Sequence, residues 1–334
     1  MCGLALAACS NNVAGSSASS TSGSSAGATG SSSSSSTSST GSASTSSGSS
    51  SGTGSSSGTS TSSSTGSTGA PPLLRFAFTG DTRPNNCDDL ANYPGPVMDS
   101  IVAAMKNHDV QLALDTGDHL KVCGSDSATA AQAAADAQLQ LYATSIAALG
   151  APFYLAMGNH ECFDNSALCS VGDPVLTVFQ RYQGTDGGEP YFTFDRQTPL
   201  GTASFVFVAD TAWDATESAW LDRTLTRTDS SAYTIIAKHV PSSNVTDFPT
   251  NADEMAIIGA HRCALLLDSH THTYVHADGG HEVTVGLGGA PLAHPSRDAF
   301  GFGLAEQLSD GGLQITLYDA ATDSAVDQFV LGGN

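Results

Sequence analysis

Short apolar runs of strand length alternate with amphipathic helical patterns in the part of the chain that begins near residue 73. Residues 74–79 predict a strand, and 97–107 predict a helix because their apolar side chains recur every three or four positions. Further strands are predicted at 111–114, 153–157, 191–194, 204–209, 233–237, 265–267, 283–287, 313–318 and 326–331, and further helices at 130–149, 175–182 and 215–225. This order predicts an α/β fold, a layered sandwich of mixed β-sheets flanked by helices.

The first 70 residues follow neither pattern. They contain no Asp, Glu, Lys or Arg, and residues 16–69 consist of Ser, Gly, Thr and Ala. A segment of this composition cannot bury enough apolar surface to offset the entropy lost on ordering. We therefore predict a disordered linker at 10–70, followed by one domain at 71–334.

The residues before the linker resemble an export signal. Leu-Ala-Ala-Cys at 6–9 is similar to a bacterial lipobox, in which a signal peptidase cuts before the Cys and the Cys thiol carries lipid. The basic region is missing and the apolar stretch is short, so 1–9 is a partial signal whose true start stays open. We expect export and a lipid anchor through Cys9 in the cell envelope, facing the periplasm or the cell surface. In a Gram-negative host the anchor would lie in the outer membrane.

The charge of the predicted domain restricts its partners. Thirty-two acidic residues stand against eleven basic ones, for a net charge of −21. Binding to nucleic-acid phosphates usually draws on Lys and Arg, so a nucleic-acid partner is not expected. No apolar run approaches the roughly 20 residues of a membrane-spanning helix, which excludes a channel. The sequence does not indicate an oligomeric state.

The cysteines of the domain are compatible with export. Cys162 and Cys169 could close a short loop, and Cys87 and Cys123 could join two neighbouring loops. Four cysteines allow three pairings, and free thiols remain the alternative. Cys263 precedes an apolar run and is interpreted as a buried thiol.

Six side chains that can bind a metal ion follow the predicted strands. They are Asp81, Asp118, Asn159, His239, His270 and His272. The carboxyl ends of strands in an open α/β sheet meet at one crevice, so these residues can converge. Their mixed oxygen and nitrogen donors suit two divalent transition ions better than calcium. His270 and His272, two apart on a segment predicted to be extended, would project the same way, and Asp118 could bridge both ions.

The motifs that carry these residues resemble those of the calcineurin-like metallophosphoesterases. Gly-Asp at 117–118, Gly-Asn-His-Glu at 158–161, the single His239 and Ser-His-Thr-His at 269–272 occur in that family's order, and the match extends over about 73–331. The resemblance implies a four-layer fold and two divalent or trivalent ions, Mn, Fe or Zn. It also implies hydrolysis of phosphate mono- or diesters by a hydroxide held at the dinuclear site.

The resemblance also implies a role for each residue. Asp81, Asp118 and His272 would hold the first ion, and Asp118, Asn159, His239 and His270 the second. Catalysis would depend on His160 and Glu161. His160 would act on the leaving oxygen or the phosphate as an acid or electrostatic stabiliser, oriented by a carboxylate such as Glu161 or Asp118. Asn159 and His160 would also contact substrate.

The sequence departs from the family pattern at several positions. Arg83 stands where the family usually has a ligating His, and an arginine cannot ligate a cation. We expect Arg83 to bind a phosphate oxygen of the substrate; the alternative is an ion pair with a nearby carboxylate such as Asp88. Ser269 replaces a Gly, which is tolerable at negative φ. Lys121 replaces the Tyr of purple acid phosphatases, so their charge-transfer iron site is not expected. His119 is predicted to point away from the site.

His294, in a Gly-rich loop after a predicted strand, is a candidate substrate contact.

Two other functions remain open. The alternative function is a metal-binding cell-surface protein of the same fold with weak or lost catalysis. A third possibility is a hydrolase of another bond, which would release no phosphate from any ester.

Overall fold

The computed structural model describes residues 72–123, 127–163, 169, 172–183, 188–244, 246, 248, 250–276 and 280–332. The partial signal at 1–9 and the predicted linker at 10–70 lie outside these residues, and both stay predictions. No helix within the described residues is long and apolar enough to cross a membrane.

The described residues form twelve strands and five α-helices. The strands are β1 (Arg75–Thr79), β2 (Leu112–Asp115), β3 (Phe153–Leu155), β4 (Phe192–Thr198), β5 (Gly201–Phe207), β6 (Tyr233–Ala237), β7 (Leu265–Asp268), β8 (Tyr274–His276), β9 (Glu282–Val285), β10 (Gly301–Gln307), β11 (Leu313–Asp319) and β12 (Ser324–Leu331). The helices are α1 (Gly95–Asn107), α2 (Ala128–Ala147), α3 (Pro174–Gln183), α4 (Ala215–Thr228) and α5 (Asn251–Ile258).

Both sheets are mixed and have six strands. The first has the order β12-β11-β10-β1-β2-β3, in which β1, β2 and β3 are parallel. The second has the order β4-β5-β6-β7-β9-β8, in which β5, β6, β7 and β9 are parallel. Since parallel strands end at the same edge, the loops after β1–β3 and after β5–β7 are gathered together.

Alternation along the strands produces four layers. Phe76 of β1 faces the second sheet, where its ring centroid lies 5.2 Å from that of Phe205. Its neighbour Ala77 points to the opposite side and packs in the cluster formed with α1, α2 and α3. Helices α4 and α5 cover the outer face of the second sheet through Leu225 and Ile258. The order helix, sheet, sheet, helix confirms the predicted fold class.

Strand β10 is the longest strand that the apolar pattern did not predict. It lies between β1 and β11 in the first sheet, and it contains Gly301 and Gly303. A Cβ added at Gly303 would lie 2.2 Å from the ring of Phe78. The strand therefore needs a residue type that weakens its own strand signal. The short strand β8 and helix α5 were also not predicted.

Two disulfides connect the loops. Cys87 bonds to Cys123 and Cys162 bonds to Cys169, which is one of the pairings that the sequence left open. Cys263 is half-buried rather than fully buried.

Candidate metal centre

The six predicted metal ligands meet where the parallel strands of the two sheets end. They form two groups that share Asp118: Asp118, His239 and His270 have ligand atoms within 4.8 Å of one another, and so have Asp81, Asp118 and His272. Asn159 joins the first set, because its Oδ1 lies 3.2 Å from His239 Nε2 and 3.1 Å from His270 Nδ1. We call these the four-ligand group (Asp118, Asn159, His239, His270) and the three-ligand group (Asp81, Asp118, His272).

The backbone at four of the ligands is strained. Asp81, Asp118, His270 and His272 have φ values of 59°, 60°, 65° and 53°, in the left-handed region that non-glycine residues rarely adopt. Each such residue costs on the order of 1–3 kcal/mol and persists only where its surroundings fix it. The predicted extended conformation of the 270–272 segment is therefore wrong. Left-handed turns, rather than strand alternation, direct its two histidines to different groups.

Close packing explains two glycines beside the ligands. Gly117 has a φ of +109°, and a Cβ there would lie 2.8 Å from His239 Nδ1. A Cβ at Gly286 would lie 2.3 Å from Asp81 Oδ2. Any larger residue would push these ligands out of place.

Hydrogen bonds fix the orientation of His239. Its Nδ1 lies 2.9 Å from the carbonyl oxygen of Thr116 and 3.1 Å from Ser269 Oγ, so Nε2 faces the other ligands. Ser269 is not among the residues with positive φ, which is the condition under which this replacement of Gly is mild. Burial lowers the pKa of His239, but the Asp118 carboxylate outweighs it and raises the pKa to about 10. A metal ion that binds Nε2 must therefore displace a proton.

The surroundings of Asp81 show whether the site fits a cation. The side chain is fully buried, and neither carboxylate oxygen has a hydrogen-bond partner. Burial raises its pKa to about 6, against the opposing effect of His272. A buried carboxylate without partners is costly unless a cation compensates it. The uncompensated carboxylate of Asp81 thus fits a metal ion. The combination of Asp, Asn and His ligand atoms fits one as well.

Arg83 lies against the three-ligand group. Its Nε donates to Asp118 Oδ2 at 3.2 Å, its Nη1 donates to the carbonyl of Pro84 at 3.2 Å, and its Nη2 lies 3.1 Å from His272 Nε2. The side chain is 10% exposed. Arg83 therefore does pair with a carboxylate, as the alternative interpretation held, but with Asp118 in place of Asp88.

His160 lies beside the shared aspartate. Its backbone N–H donates to Asp118 Oδ1 at 3.0 Å, its Nε2 is 3.7 Å from Asp118 Oδ2, and its buried Nδ1 has no hydrogen-bond partner. Burial lowers the pKa of the ring, with Asp118 opposing. Of the two carboxylates predicted to orient His160, Asp118 is the one in contact.

Glu161 is placed beneath the ligands. Its buried carboxylate accepts the backbone N–H groups of Asp118 at 3.0 Å, His119 at 2.7 Å and Gly158 at 2.6 Å. It thereby joins the loop after β2 to the loop after β3. This arrangement differs from the predicted catalytic role, because Glu161 acts on the backbone that carries the ligands.

His119 points away from the centre, as predicted, but into the core. Its two ring nitrogens lie 3.2 Å from Asp115 Oδ1 and 3.3 Å from Glu161 Oε1, and its ring stacks on Phe179. The two carboxylates raise its pKa to about 10, although burial has the opposite effect.

Two supporting residues were missed from the sequence. The carbonyl of Thr116 orients His239, and no side-chain pattern could reveal it. Asp210 accepts the backbone N–H of His239 at 3.2 Å and that of Val240 at 2.6 Å. Asp210 follows β5 at the same kind of strand end as the ligands, so its position was a usable signal.

The loop after β9 supports His272. The carbonyl of Pro291 lies 2.8 Å from His272 Nδ1, which leaves Nε2 directed at the site. His294 is exposed on the same loop, and no described hydrogen bond joins it to the six ligands. Its predicted contact with substrate stays a prediction.

A four-layer sandwich with two ligand groups that share an aspartate defines the class of metallophosphoesterases. A family model described as calcineurin-like phosphoesterase matches residues 74–274, and the chain belongs to that family. No curated protein sequence matches the chain.

Solved structures share the fold at low sequence identity. A dimetal phosphatase from Danio rerio is 14% identical with a TM-score of 0.57, over 79% of this chain and 100% of that one. GAP50 of Plasmodium, described as the anchor in the inner membrane complex, is 13% identical with a TM-score of 0.55, over 79% and 90%. A purple acid phosphatase from yellow lupin seeds is 16% identical with a TM-score of 0.53; 78% of this chain covers 54% of that one. The chain thus spans about half the length of the lupin enzyme.

Proposed function

We propose that the chain is a metal-dependent hydrolase of phosphate mono- or diesters. The observation that carries the proposal is the position of Asp118, which belongs to both ligand groups and also contacts His160. The proposal requires at least one ion, held by Asp118, Asn159, His239 and His270. Membership of the family supports the same activity.

The ligand residues and His160 have separate tasks. A metal ion bound in the four-ligand group would polarise a phosphoryl oxygen and lower the pKa of a water molecule. Burial lowers the pKa of His160, and its Nδ1, which has no hydrogen-bond partner, would exchange a proton or donate to a phosphate oxygen. General acid–base catalysis of this kind contributes about 10²–10⁴-fold.

Arg83 retains the capacity to contact substrate. A guanidinium has five N–H donors, and the three described bonds of Arg83 leave two of them for a phosphate oxygen. In an acidic chain, a guanidinium and a metal ion supply the local positive charge that an anionic substrate needs.

A second candidate function is metal binding with weak or lost catalysis. The contact of Arg83 with two of the residues in the three-ligand group favours it, because the family's hydrolysis is expected at two ions. The two candidates differ in turnover, and both predict a bound ion.

We also propose that the protein is exported, with a lipid anchor through Cys9. The two disulfides support an oxidising compartment, since such bonds are rare in the cytosol. Labelling with a radioactive fatty acid would test the anchor: Cys9→Ala should abolish incorporation, and labelling that persists in this variant would contradict it.

The test of the activity is hydrolysis of an aryl phosphate and a bis-aryl phosphate by the purified chain, with its metal content measured in parallel. Asp118→Asn and His160→Ala should each abolish the metal-dependent rate. Asp222→Asn, on the exposed face of α4, is the matched control and should retain it. Activity that survives both site changes would place the chemistry elsewhere. A bound ion without turnover on either ester would favour the second candidate.

A further inference from the structure

A positively charged side chain of the protein itself, the Arg83 guanidinium, already contacts the three-ligand group. Of its three residues, two bond to the Arg83 guanidinium: Asp118 through Oδ2 at 3.2 Å, and His272 through Nε2 at 3.1 Å. A first metal ion would otherwise contact both of these residues, and the guanidinium stands in its place.

The bond to His272 uses the electron pair that a metal ion would need. Because His272 Nδ1 donates to the carbonyl of Pro291, Nε2 is the unprotonated nitrogen of the ring. A single lone pair cannot accept an N–H from Arg83 and ligate a metal ion at the same time. Metal binding at His272 and the observed position of Arg83 therefore exclude each other.

Arg83 is held where it is. A third bond joins its Nη1 to the carbonyl of Pro84, and the side chain is 10% exposed. The segment that follows is tied to the loop after β2 by the Cys87–Cys123 disulfide and by the bond from Asp88 N–H to the carbonyl of Lys121. Withdrawal of the guanidinium would have to break its three hydrogen bonds, while the disulfide and the Asp88 bond restrain the loop that carries it.

The four-ligand group is arranged differently. Asn159 Oδ1, His239 Nε2 and His270 Nδ1 lie 3.1–3.2 Å from one another. No described hydrogen bond or ion pair joins a Lys or Arg to any of these three side chains. These three ligand atoms therefore lie close enough together to bind one ion.

We propose that Arg83 takes the place of one of the family's two metal ions, so that the chain binds one ion tightly, in the four-ligand group. The three-ligand group accepts a second ion only when Arg83 withdraws; until then Asp81 Oδ1 lies 3.8 Å from His272 Nε2 and has no hydrogen-bond partner. The inference deepens the proposed function and rests on its metal centre, but it concerns the number of ions rather than turnover.

The test is a calorimetric titration of the metal-free full-length chain with Mn²⁺, with the metal content measured after gel filtration. The wild-type chain should retain about one equivalent, with any second ion bound at least about 100-fold more weakly because of the neighbouring guanidinium. Arg83→His should retain two equivalents. Arg83→Lys, which keeps the charge, is the matched control and should stay at one.

Two further measurements locate the ion. Asn159→Ala should lose the tight ion, whereas Asp81→Ala should keep it. The electron paramagnetic resonance spectrum of the wild-type chain with Mn²⁺ should be that of an isolated ion, and that of Arg83→His should show two coupled ions.

Two tight equivalents with a coupled spectrum in the wild-type chain would overturn the inference, and this result needs no variant to fold. One tight ion without hydrolysis of any phosphate ester would leave the inference standing and remove the proposed function.

Discussion

The side chain of Glu161 accepts the backbone N–H of Asp118 at 3.0 Å, so a buried carboxylate that is not itself one of the six ligands holds the residue shared by both ligand groups. The same carboxylate also accepts the N–H groups of His119 and Gly158. Glu161 is therefore a positioning residue, and its replacement should weaken the binding of the metal ion.

Glu161→Gln should weaken Mn²⁺ binding by about 10–100-fold, as changes behind metal ligands generally do. It should also lower the free energy of unfolding by about 2–4 kcal/mol, since an amide cannot accept all three buried N–H groups. Calorimetric titration and denaturant unfolding measure the two effects. Glu189→Gln, at an exposed glutamate, is the control. Unchanged metal affinity in Glu161→Gln would contradict the positioning role.

His160→Gln should lower kcat by about 10²–10⁴-fold while the metal content stays the same, because His160 contacts Asp118 without belonging to either ligand group. Steady-state kinetics on an aryl phosphate, combined with metal analysis, measure this. Loss of the ion in proportion to the loss of rate would show that His160 supports the centre rather than the reaction.

Replacement of the Cys87–Cys123 disulfide should have two effects. The double variant Cys87→Ser/Cys123→Ser should lose about 3–4 kcal/mol of unfolding free energy, given the 36-residue separation that the bond closes. It should also loosen the segment after Arg83 and raise the affinity for a second ion. The pair Cys162→Ser/Cys169→Ser, which closes a separation of only 7, is the comparison and should leave the second ion weak. If both double variants changed the affinity for the second ion equally, the Cys87–Cys123 disulfide would not be what holds Arg83 in place.

His261 should make stability depend on pH. Although burial lowers the pKa of His261, hydrogen bonds to Asp229 and Asp222 outweigh it and raise the pKa above 6.5. Its contribution is then fully present below about pH 6.5 and lost as pH rises through the folded-state pKa. The pKa of Asp229 is lowered from 3.8: burial opposes this shift, and bonds from Arg262 and His261 produce it. The pair therefore also weakens under strong acid.

A double-mutant cycle of His261→Asn and Asp229→Asn measures the pair. The coupling free energy should be about 0.5–1 kcal/mol at pH 5.5 and low ionic strength, and it should fall by pH 9. A coupling that is larger at pH 9 than at pH 5.5 would contradict the direction of the shift.

The sequence was sufficient for the elements that follow simple periodicity. Strand β6 was predicted with its observed bounds, because its five residues are all apolar, aromatic or β-branched and a charged residue, Lys238, follows them. Strand β10 was missed, since Gly303 must leave room for Phe78. That requirement depends on a strand more than 200 positions away and leaves no local signal.

The same division holds at the site. The six ligands were recognisable because each follows a strand, and strand ends are visible in the sequence. The partner of Arg83 could not be predicted from the sequence. Whether Arg83 bonds to Asp118 or to Asp88 depends on how the loops after β1 and β2 pack. The left-handed turns at His270 and His272 were likewise not predicted, since positive φ is uncommon at any residue other than glycine.

The most direct measurement of the central claim is anomalous diffraction from crystals of the chain grown with Mn²⁺. We expect a strong peak enclosed by Asp118, Asn159, His239 and His270. Absence of a peak among these four residues, with ions bound elsewhere on the acidic surface, would contradict it.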